Sequence, residues 1–480
     1  IIVSPANPYR WLIGTAGGGV WITDNAGGHW RNSTDFTIPN LATSVLAVSP
    51  ENPNVIYAGT GEPFSNLDGL TGTGIYKSTS GGETWTLLAG SETLGSVGRI
   101  LVSPKDSKYV IAGTSKGIYV SKDGGTTWAQ TFGQATNTNA QDLKANDDFT
   151  VIYASVNTRG IYKSTDGGAT WTLIFDSASK AKNIRRIEMA VSPLDNKRIF
   201  LSAESSGTTT TLFYLSDDEG ATFSELTFAS GDSKEILGGQ GWYDNVAAMS
   251  PLDKNVAYVG GIYLAKITID AAAKTYTVLS IASGYDTTKL NTYVHPDQHG
   301  LYCQINPDNE KQFRIILNND GGVYFTPFSE DPGTAKNSWA TPTMSPRTTQ
   351  FYGADKKKGE NAYLAGAQDN GSSASPVANT VANTNYLTMF GGDGFETIWN
   401  YRDTNLLLFG SQYNNFIISR KGVQNTELYY ARNPDYGSTY SPFYSKLANA
   451  NNNPDVIFTV SSRGVWKSAA FGTNWTLSPF

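Results

Sequence analysis

The stretch Gly117-Ile118-Tyr119-Val120-Ser121-Lys122-Asp123-Gly124-Gly125-Thr126-Thr127-Trp128 decides the fold, because Gly160-Ile161-Tyr162-Lys163-Ser164-Thr165-Asp166-Gly167-Gly168-Ala169-Thr170-Trp171 repeats it. Gly74 to Trp85 is a third copy. Looser copies run Gly19 to Trp30, Phe213 to Phe223 and Gly464 to Trp475. The aromatic ends fall at 30, 85, 128, 171 and 223, so the spacings are 55, 43, 43 and 52 residues. A second phrase precedes each copy: Ser-Pro, a polar turn, then a short apolar run ending near Gly-Thr. Ser49-Pro50 stands before Val55 to Thr60, and Ser103-Pro104 before Val110 to Thr114. Self-similarity at such a period marks a repeat architecture.

One module holds four short apolar runs. In the third they are Arg99 to Val102, Tyr109 to Ala112, Gly117 to Ser121 and Thr127 to Gln130. All are rich in β-branched and aromatic residues and bounded by Gly or Pro, and none sustains a 3.6-residue period. Four strands per module is the pattern of a β-propeller blade. A blade cannot bury both faces alone, so blades must stack around an axis. The phrases predict an all-β chain of about ten blades, with first strands near Ile2, Val45, Ile100, Leu143, Ile187, Val246, Leu301, Tyr352, Thr397 and Tyr444. A single ring spanning 1–480 is the preferred arrangement, and two smaller tandem rings are the alternative. The chain starts on a first strand and ends on a fourth, Trp475 to Leu477. Closure is therefore expected from side-chain packing rather than from a strand shared between termini.

Composition narrows the function. Lys+Arg is 36 against Asp+Glu 42, a net charge of −6, so no basic excess exists to meet a phosphate backbone. Aromatics at 12%, with 11 Trp and 26 Tyr, build cores rather than disordered segments. No apolar run reaches the ~18 residues of a membrane span. Cys303 is the single cysteine, which excludes an internal disulfide and a cysteine-built zinc site. Few Lys and Glu beside abundant Ser, Thr, Asn and Tyr suit an exported surface. Ile1 opens in a strand-like run, so that reading requires a leader removed upstream.

The Ser-x-Asp-x-Gly-x-Thr-Trp phrases resemble Asp-boxes, also called BNR repeats. The likeness is full at Ser121 to Trp128 and Ser164 to Trp171. Ser80, Asn25 and Ala470 replace the Asp in three other copies, and Asp218 keeps it in the fifth module. The chemistry is local: the carboxylate accepts backbone N–H groups across a tight turn, Gly supplies φ > 0, and Trp covers the hairpin base. Asp123, Trp128, Asp166, Trp171 and Asp218 are accordingly read as structural.

Strand order then sorts the loops. In a four-stranded meander the 1–2 and 3–4 turns share one rim, while the 2–3 loops and blade connections share the other. The Ser-Pro turns and Asp-boxes take the first rim. The second receives Glu62 in Gly59-Thr60-Gly61-Glu62, Asp320 in Asn318-Asn319-Asp320-Gly321-Gly322, and Asp369 in Gln368-Asp369-Asn370-Gly371. It also receives His295-Pro296-Asp297-Gln298-His299 and Gly391-Gly392-Asp393-Gly394-Phe395. All five clusters are expected at one funnel mouth, which makes Glu62, His295, Asp297, His299, Asp320, Asp369 and Asp393 the candidate ligand-binding residues. Trp242, Tyr243, Tyr285, Tyr352, Phe390 and Tyr413 are candidate stacking surfaces. Each acid also has a plain reading as a turn cap or loop anchor. Metal binding is not expected. Positions i and i+4 of a straight strand stand ~13 Å apart at ~3.3 Å per residue, so His295 and His299 cannot share an ion with ~2.0 Å bonds. A histidine–aspartate hydrogen-bond network is expected instead.

Across nearly its whole length the chain resembles the sortilin-type and xyloglucanase-type propellers, in particular large secreted propeller modules of Bacteroidetes. The matching phrases are Tyr57 to Glu62, His295 to His299, Asn319 to Gly322, Gln350 to Gly353, Gln368 to Gly371 and Gly391 to Phe395. The resemblance implies ten blades of the sortilin kind, an extracellular or surface location, and type IX secretion through a sorting domain outside this chain. It also tests the hydrolase chemistry. Where xyloglucanases carry one catalytic Asp in a Thr-Asp-x-Gly-Gly phrase, this chain has Thr15-Ala16-Gly17-Gly18-Gly19. The second Asp has a rough counterpart in Asp369. Glycoside hydrolysis needs two carboxylates, ~5–5.5 or ~6.5–9.5 Å apart, and Ala16 removes one. Sialidases are resembled in the Asp-boxes alone. The expectation is therefore a binding or scaffold module for a glycan or protein ligand without a cofactor, with the enzyme question left open and leaning against one. The alternatives are a glycoside hydrolase using Asp369 with Asp393, Glu62 or Asp320, and a structural subunit of a surface assembly.

Overall fold

The structure, a computed structural model, describes residues 1–64, 69–133, 138–180, 182–233, 235–282, 284–285, 293–335, 338–375, 386–423 and 427–480. Ten sheets follow one another along it, at 2–32, 43–87, 97–132, 140–176, 184–225, 246–280, 298–325, 353–390, 397–430 and 448–479. They are blades 1 to 10. Eight have four strands in meander order. Blade 6 gains a fifth, Thr227–Gly231, which pairs parallel with Thr275–Ser280. Blade 7 has three strands, and the place of its fourth is marked by a Phe325–Ala340 bridge. Eight of the ten anticipated first-strand residues lie inside first strands; Tyr352 and Tyr444 precede theirs. The single helical turn among the described residues is the 3-10 segment Ser91–Thr93.

The chain divides into two compact units, Ile1–Thr348 with blades 1 to 7 and Thr349–Phe480 with blades 8 to 10. The sequence left two ways of arranging ten blades, and within unit 1 the blades follow the smaller ring. Val3, Trp11 and Ile13 of blade 1 share a buried cluster with Ile316 and Val323 of blade 7. Trp11 meets Phe325 edge-on at 5.7 Å, and Gln304 Nε2 donates to the Pro8 carbonyl at 2.7 Å. The two sheets share no strand, so side-chain packing and side-chain-to-backbone hydrogen bonds make this junction.

Elsewhere in unit 1 each apolar cluster lies between successive blades. Leu12 and Ile22 meet Leu46 and Ile56, Tyr57 and Ile75 meet Val97 and Val110, and Ile111 and Ile118 meet Leu143 and Ile152. Each such buried side chain contributes about 1.5–3 kcal/mol relative to exposure. In unit 2, Leu364 and Ala374 pack on Trp399 and Phe409, and Leu408 and Ile418 on Ile457 and Phe471.

The copies that keep the Asp fold alike. Asp123 Oδ1 accepts from the Thr127 amide at 2.9 Å and from Ser121 Oγ at 2.8 Å, and Oδ2 accepts from Thr127 Oγ1 at 2.6 Å. Asp166 and Asp218 repeat these bonds. The Thr127 hydroxyl and amide hold Asp123 down to about 2. Ser80 Oγ and Asn25 Oδ1 accept the corresponding amide where Asp is missing. Gly125 has φ +91, and a Cβ there would stand 2.3 Å from Leu88 Cδ1. The turns of blades 2 and 3 are tied to the 1–2 side of their own blades, Gly81 N to Asn54 O and Gly124 N to Lys108 O, both 2.9 Å. The two turn sets therefore do share a rim. A tyrosine on the second strand of blades 2, 3 and 4 reaches the next blade: Tyr57 donates to Ser107 O at 2.9 Å, Tyr109 to Gly167 O and Tyr153 to Glu219 O at 3.3 Å.

Candidate functional site

Most polar residues of interest in unit 1 sit on, or just before, innermost strands, while Glu62 and Asp320 follow second strands. Strand alternation puts every second side chain of such a strand on one face. Thus Arg99 in Val97–Ser103, Asp142 in Ala140–Ala145, and Glu188 in Ile184–Ser192 converge. Arg99 Nε lies 2.9 Å from Asp142 Oδ1, and its terminal nitrogen 2.7 Å from Glu188. Lys144 Nζ bonds Asp142 at 2.6 Å and Glu188 at 3.2 Å. Asp142 Oδ2 accepts the Met189 amide of the next blade at 3.0 Å. Burial alone would raise the Asp142 carboxyl; Lys144 and Arg99 bring it below its usual range. One buried carboxylate thus joins three blades.

The second group lies beside blades 6 and 7. His299 Nε2 is 2.8 Å from Asp320 and 3.6 Å from Asp244. Tyr243 packs edge-on against the His299 ring at 4.9 Å, and Trp242 lies 5.5 Å from Tyr243. Gln240 donates to Asp244 and Asp297, at 3.3 and 3.4 Å. Asp297 has φ +62, a conformation that Asp tolerates better than most residues. Asp244 is fully buried; that burial, reinforced by Asp297 and Asp320, keeps its carboxyl well above the ordinary range against the pull of His299. Burial and the Asp320 charge raise Asp297 as well. Burial would lower His299, but the charge and hydrogen bond of Asp320, with Asp244 and Asp297, bring it up to about 9. At neutral pH the ring is an imidazolium facing Asp320, with the raised carboxyls of Asp244 and Asp297 close by.

The loop after Glu62 reaches this group. The Glu62 amide and carboxylate both bond Leu70, at 2.9 and 2.8 Å, so the residue anchors its loop. Phe64 then lies 3.9 Å from the Arg186 guanidinium and 6.2 Å from the Tyr243 ring. Asn139 of the segment leading into blade 4 donates to Pro63 O at 2.6 Å. The Glu62 segment and the His295–His299 segment thus meet through Tyr243. His295 Nδ1 lies 3.1 Å from Pro296 O, and its carbonyl accepts from Gln298 and Asn319.

Asp369 and Asp393 belong to unit 2. Asp393 Oδ1 accepts the Asp369 amide at 2.9 Å, and Oδ2 accepts the Gln412 side chain. Both oxygens hold the backbone and a neighbour. Asp369 has φ +60, which that amide bond supports. Of the anticipated stacking residues, Tyr285 is exposed, whereas Tyr352 packs on Phe395 and Tyr444, Phe390 on Phe409, and Tyr413 on Phe443.

Sequence reasoning missed Asp244, Gln240 and the Arg99–Asp142–Glu188 set. A signal existed for both. Asp244 lies just before an innermost strand and His295–His299 runs into one, and Arg99, Asp142 and Glu188 are charges within first strands.

No protein-family model and no curated protein matches the chain. Among solved structures it is similar to an ancestral GH74 enzyme, with TM-score 0.60 and 15% identity over 100% of this chain and 76% of that one. The likeness shows a shared propeller fold. Weaker likenesses are the GH74 enzyme of Niastella koreensis (TM-score 0.43, 18% identity, 99% and 77% covered) and the GH74 xyloglucanase of Xanthomonas campestris (0.37, 13%, 100% and 92%). Among the described residues no helix is long and apolar enough to cross a membrane.

Proposed function

We propose that the chain is a secreted or cell-surface propeller that binds a glycan or protein ligand, and that the Tyr243–His299–Asp320 group of unit 1 faces that ligand. The observation that carries the reading is the convergence of Asp244, Asp297 and Asp320 on one imidazolium. Asp244 and Asp320 both lie within 3.6 Å of the same nitrogen. Two-carboxylate glycoside hydrolysis needs its acids on either side of a scissile bond, and these acids flank a histidine instead. What they offer is a fixed donor and acceptor pair beside an aromatic edge, which suits recognition of a polar ligand. The turn phrases, read as Asp-boxes, support a rigid frame on the opposite rim, and the surface composition supports export.

The hydrolase reading stays second because one observation favours it, the fold shared with an ancestral GH74 enzyme. It would rest on Asp369 and a second carboxylate; Asp393 is engaged on both oxygens. A glycan-array and hydrolysis screen on the full chain, with Asp320→Asn and Asp369→Ala beside it, separates the two. Binding without turnover, weakened by Asp320→Asn, is expected. Turnover that Asp369→Ala abolishes would overturn the reading.

A further inference from the structure

Unit 2 presents a surface that neither group above includes. The segment from Tyr429 to Phe443 runs from the fourth strand of blade 9 toward blade 10. Five of its large apolar side chains are exposed: Tyr429 48%, Tyr430 70%, Tyr436 50%, Tyr440 45% and Phe443 42%. All are aromatic and none is aliphatic. Cations are threaded among them. The Arg432 guanidinium lies 4.7 Å from the Tyr430 ring and 4.8 Å from the Tyr436 ring; Arg420 lies 5.7 Å from Tyr429, and Arg463 5.4 Å from Tyr440.

The acids of this surface are engaged. Asp435 is buried and accepts from Ser461, Arg463 and Trp466 at 2.7–2.9 Å. Glu396 accepts from Tyr444 at 2.9 Å and pairs with Lys446 at 3.4 Å. Arg432 has Asn415 Oδ1 as its hydrogen-bond acceptor at 2.8 Å, and among the described residues neither it nor Arg420 pairs with a carboxylate. Among the described residues this acidic chain of net charge −6 therefore keeps two guanidinia without a carboxylate partner, Arg432 between two exposed rings and Arg420 beside one.

We infer that this surface binds an anionic polysaccharide. The aromatic faces stack against the C–H faces of sugar rings, and the ring–guanidinium–ring arrangement around Arg432 holds its fork open for a carboxylate or sulfate. The preponderance of exposed aromatic over aliphatic side chains suits a ligand with polar edges better than it suits a protein partner. The inference goes beyond the unit 1 reading and stands independently of it.

Affinity electrophoresis of the full chain through gels holding polygalacturonate, heparin or a neutral β-glucan tests it. Retardation is expected with a charged polymer and not with the glucan, and comparing the first two tells carboxylate from sulfate. Arg432→Gln and Tyr430→Ala are each expected to weaken it by about tenfold with circular dichroism unchanged, both being exposed. Asp320→Asn should leave it intact. Equal retardation by the neutral glucan, by polyglutamate, or of both surface variants would overturn the inference. So would loss of binding in Asp320→Asn with Arg432→Gln unaffected, which would move the ligand to unit 1.

Discussion

Replacing Asp142 by Asn tests whether buried charge holds neighbouring blades together. The change keeps volume and removes one negative charge from a fully buried site. Arg99 and Lys144 lose their 2.9 and 2.6 Å partner, and the Met189 amide loses its acceptor if the new amide nitrogen faces it. Removing one member of a buried pair typically costs ~3–5 kcal/mol. Two features place the result toward the lower end. Arg99 and Lys144 are 34% and 25% exposed, so water reaches both, and Glu188 keeps contact with each. The expected loss is about 3 kcal/mol. Two-state unfolding is not assured for a unit of this size, so hydrogen exchange is the better assay. Protection should fall by roughly two orders of magnitude, at 1.4 kcal/mol per tenfold, in Val97–Ser103, Ala140–Ala145 and Ile184–Ser192. Blades 1 and 7 should change little. The pH dependence has a definite sign. The folded Asp142 pKa is depressed, so its contribution is present above the unfolded carboxylate value and lost as pH falls through the folded one. The difference between wild type and variant should therefore shrink on acidification below about pH 4. A loss under ~1 kcal/mol, or one spread evenly over unit 1, would refute the argument.

Three other outcomes follow from local geometry. The His299 ring should titrate near 9, and Asp320→Asn should lower that midpoint, as read by imidazole NMR; a wild-type midpoint near 6.5 would contradict the ion pair. Because the folded value is raised, its stabilisation is complete below the unfolded pKa and disappears as pH climbs through about 9. Gly125→Ala should destabilise by about 1–3 kcal/mol, since it combines a positive φ with a 2.3 Å approach to Leu88; thermal melting unchanged from wild type would count against the turn geometry. Tyr57→Phe removes the 2.9 Å bond to Ser107 O and should cost about 0.5–1.5 kcal/mol, with increased exchange confined to the junction of blades 2 and 3.

The blades were legible because their information is local. A Ser-x-Asp-x-Gly-x-Thr turn closes its bonds within seven residues, as Ser121 to Thr127 does, so periodicity exposes it without tertiary knowledge. Sidedness was legible for the same reason: strand order fixes which turns are neighbours, and Gly124 bonds Lys108 accordingly. Which blade meets blade 1 was not legible. That junction is made by Trp11, Ile13, Ile316 and Val323, apolar residues that any blade supplies at the same positions. The site divides likewise. His299 and Asp320 stood out as unusual letters in loops, whereas Asp142 and Glu188 became significant only once three first strands were side by side. Asp393 looked chemical by composition, yet its oxygens serve the Asp369 amide and Gln412.

These two polar groups of unit 1 are connected by one aromatic side chain. Phe64 lies over Arg186, whose guanidinium stands 3.8 Å from Glu188, and its ring also faces Tyr243, the neighbour of His299. A ring over a guanidinium both screens it from water and contributes a cation–π attraction of ~0.5–2 kcal/mol. Lower local dielectric strengthens each charge pair beneath it and makes any unpaired charge more unfavourable. The Glu62–Leu70 bonds fix where that loop begins and returns. Phe64 of blade 2 therefore conditions the electrostatics around Arg186 and Tyr243.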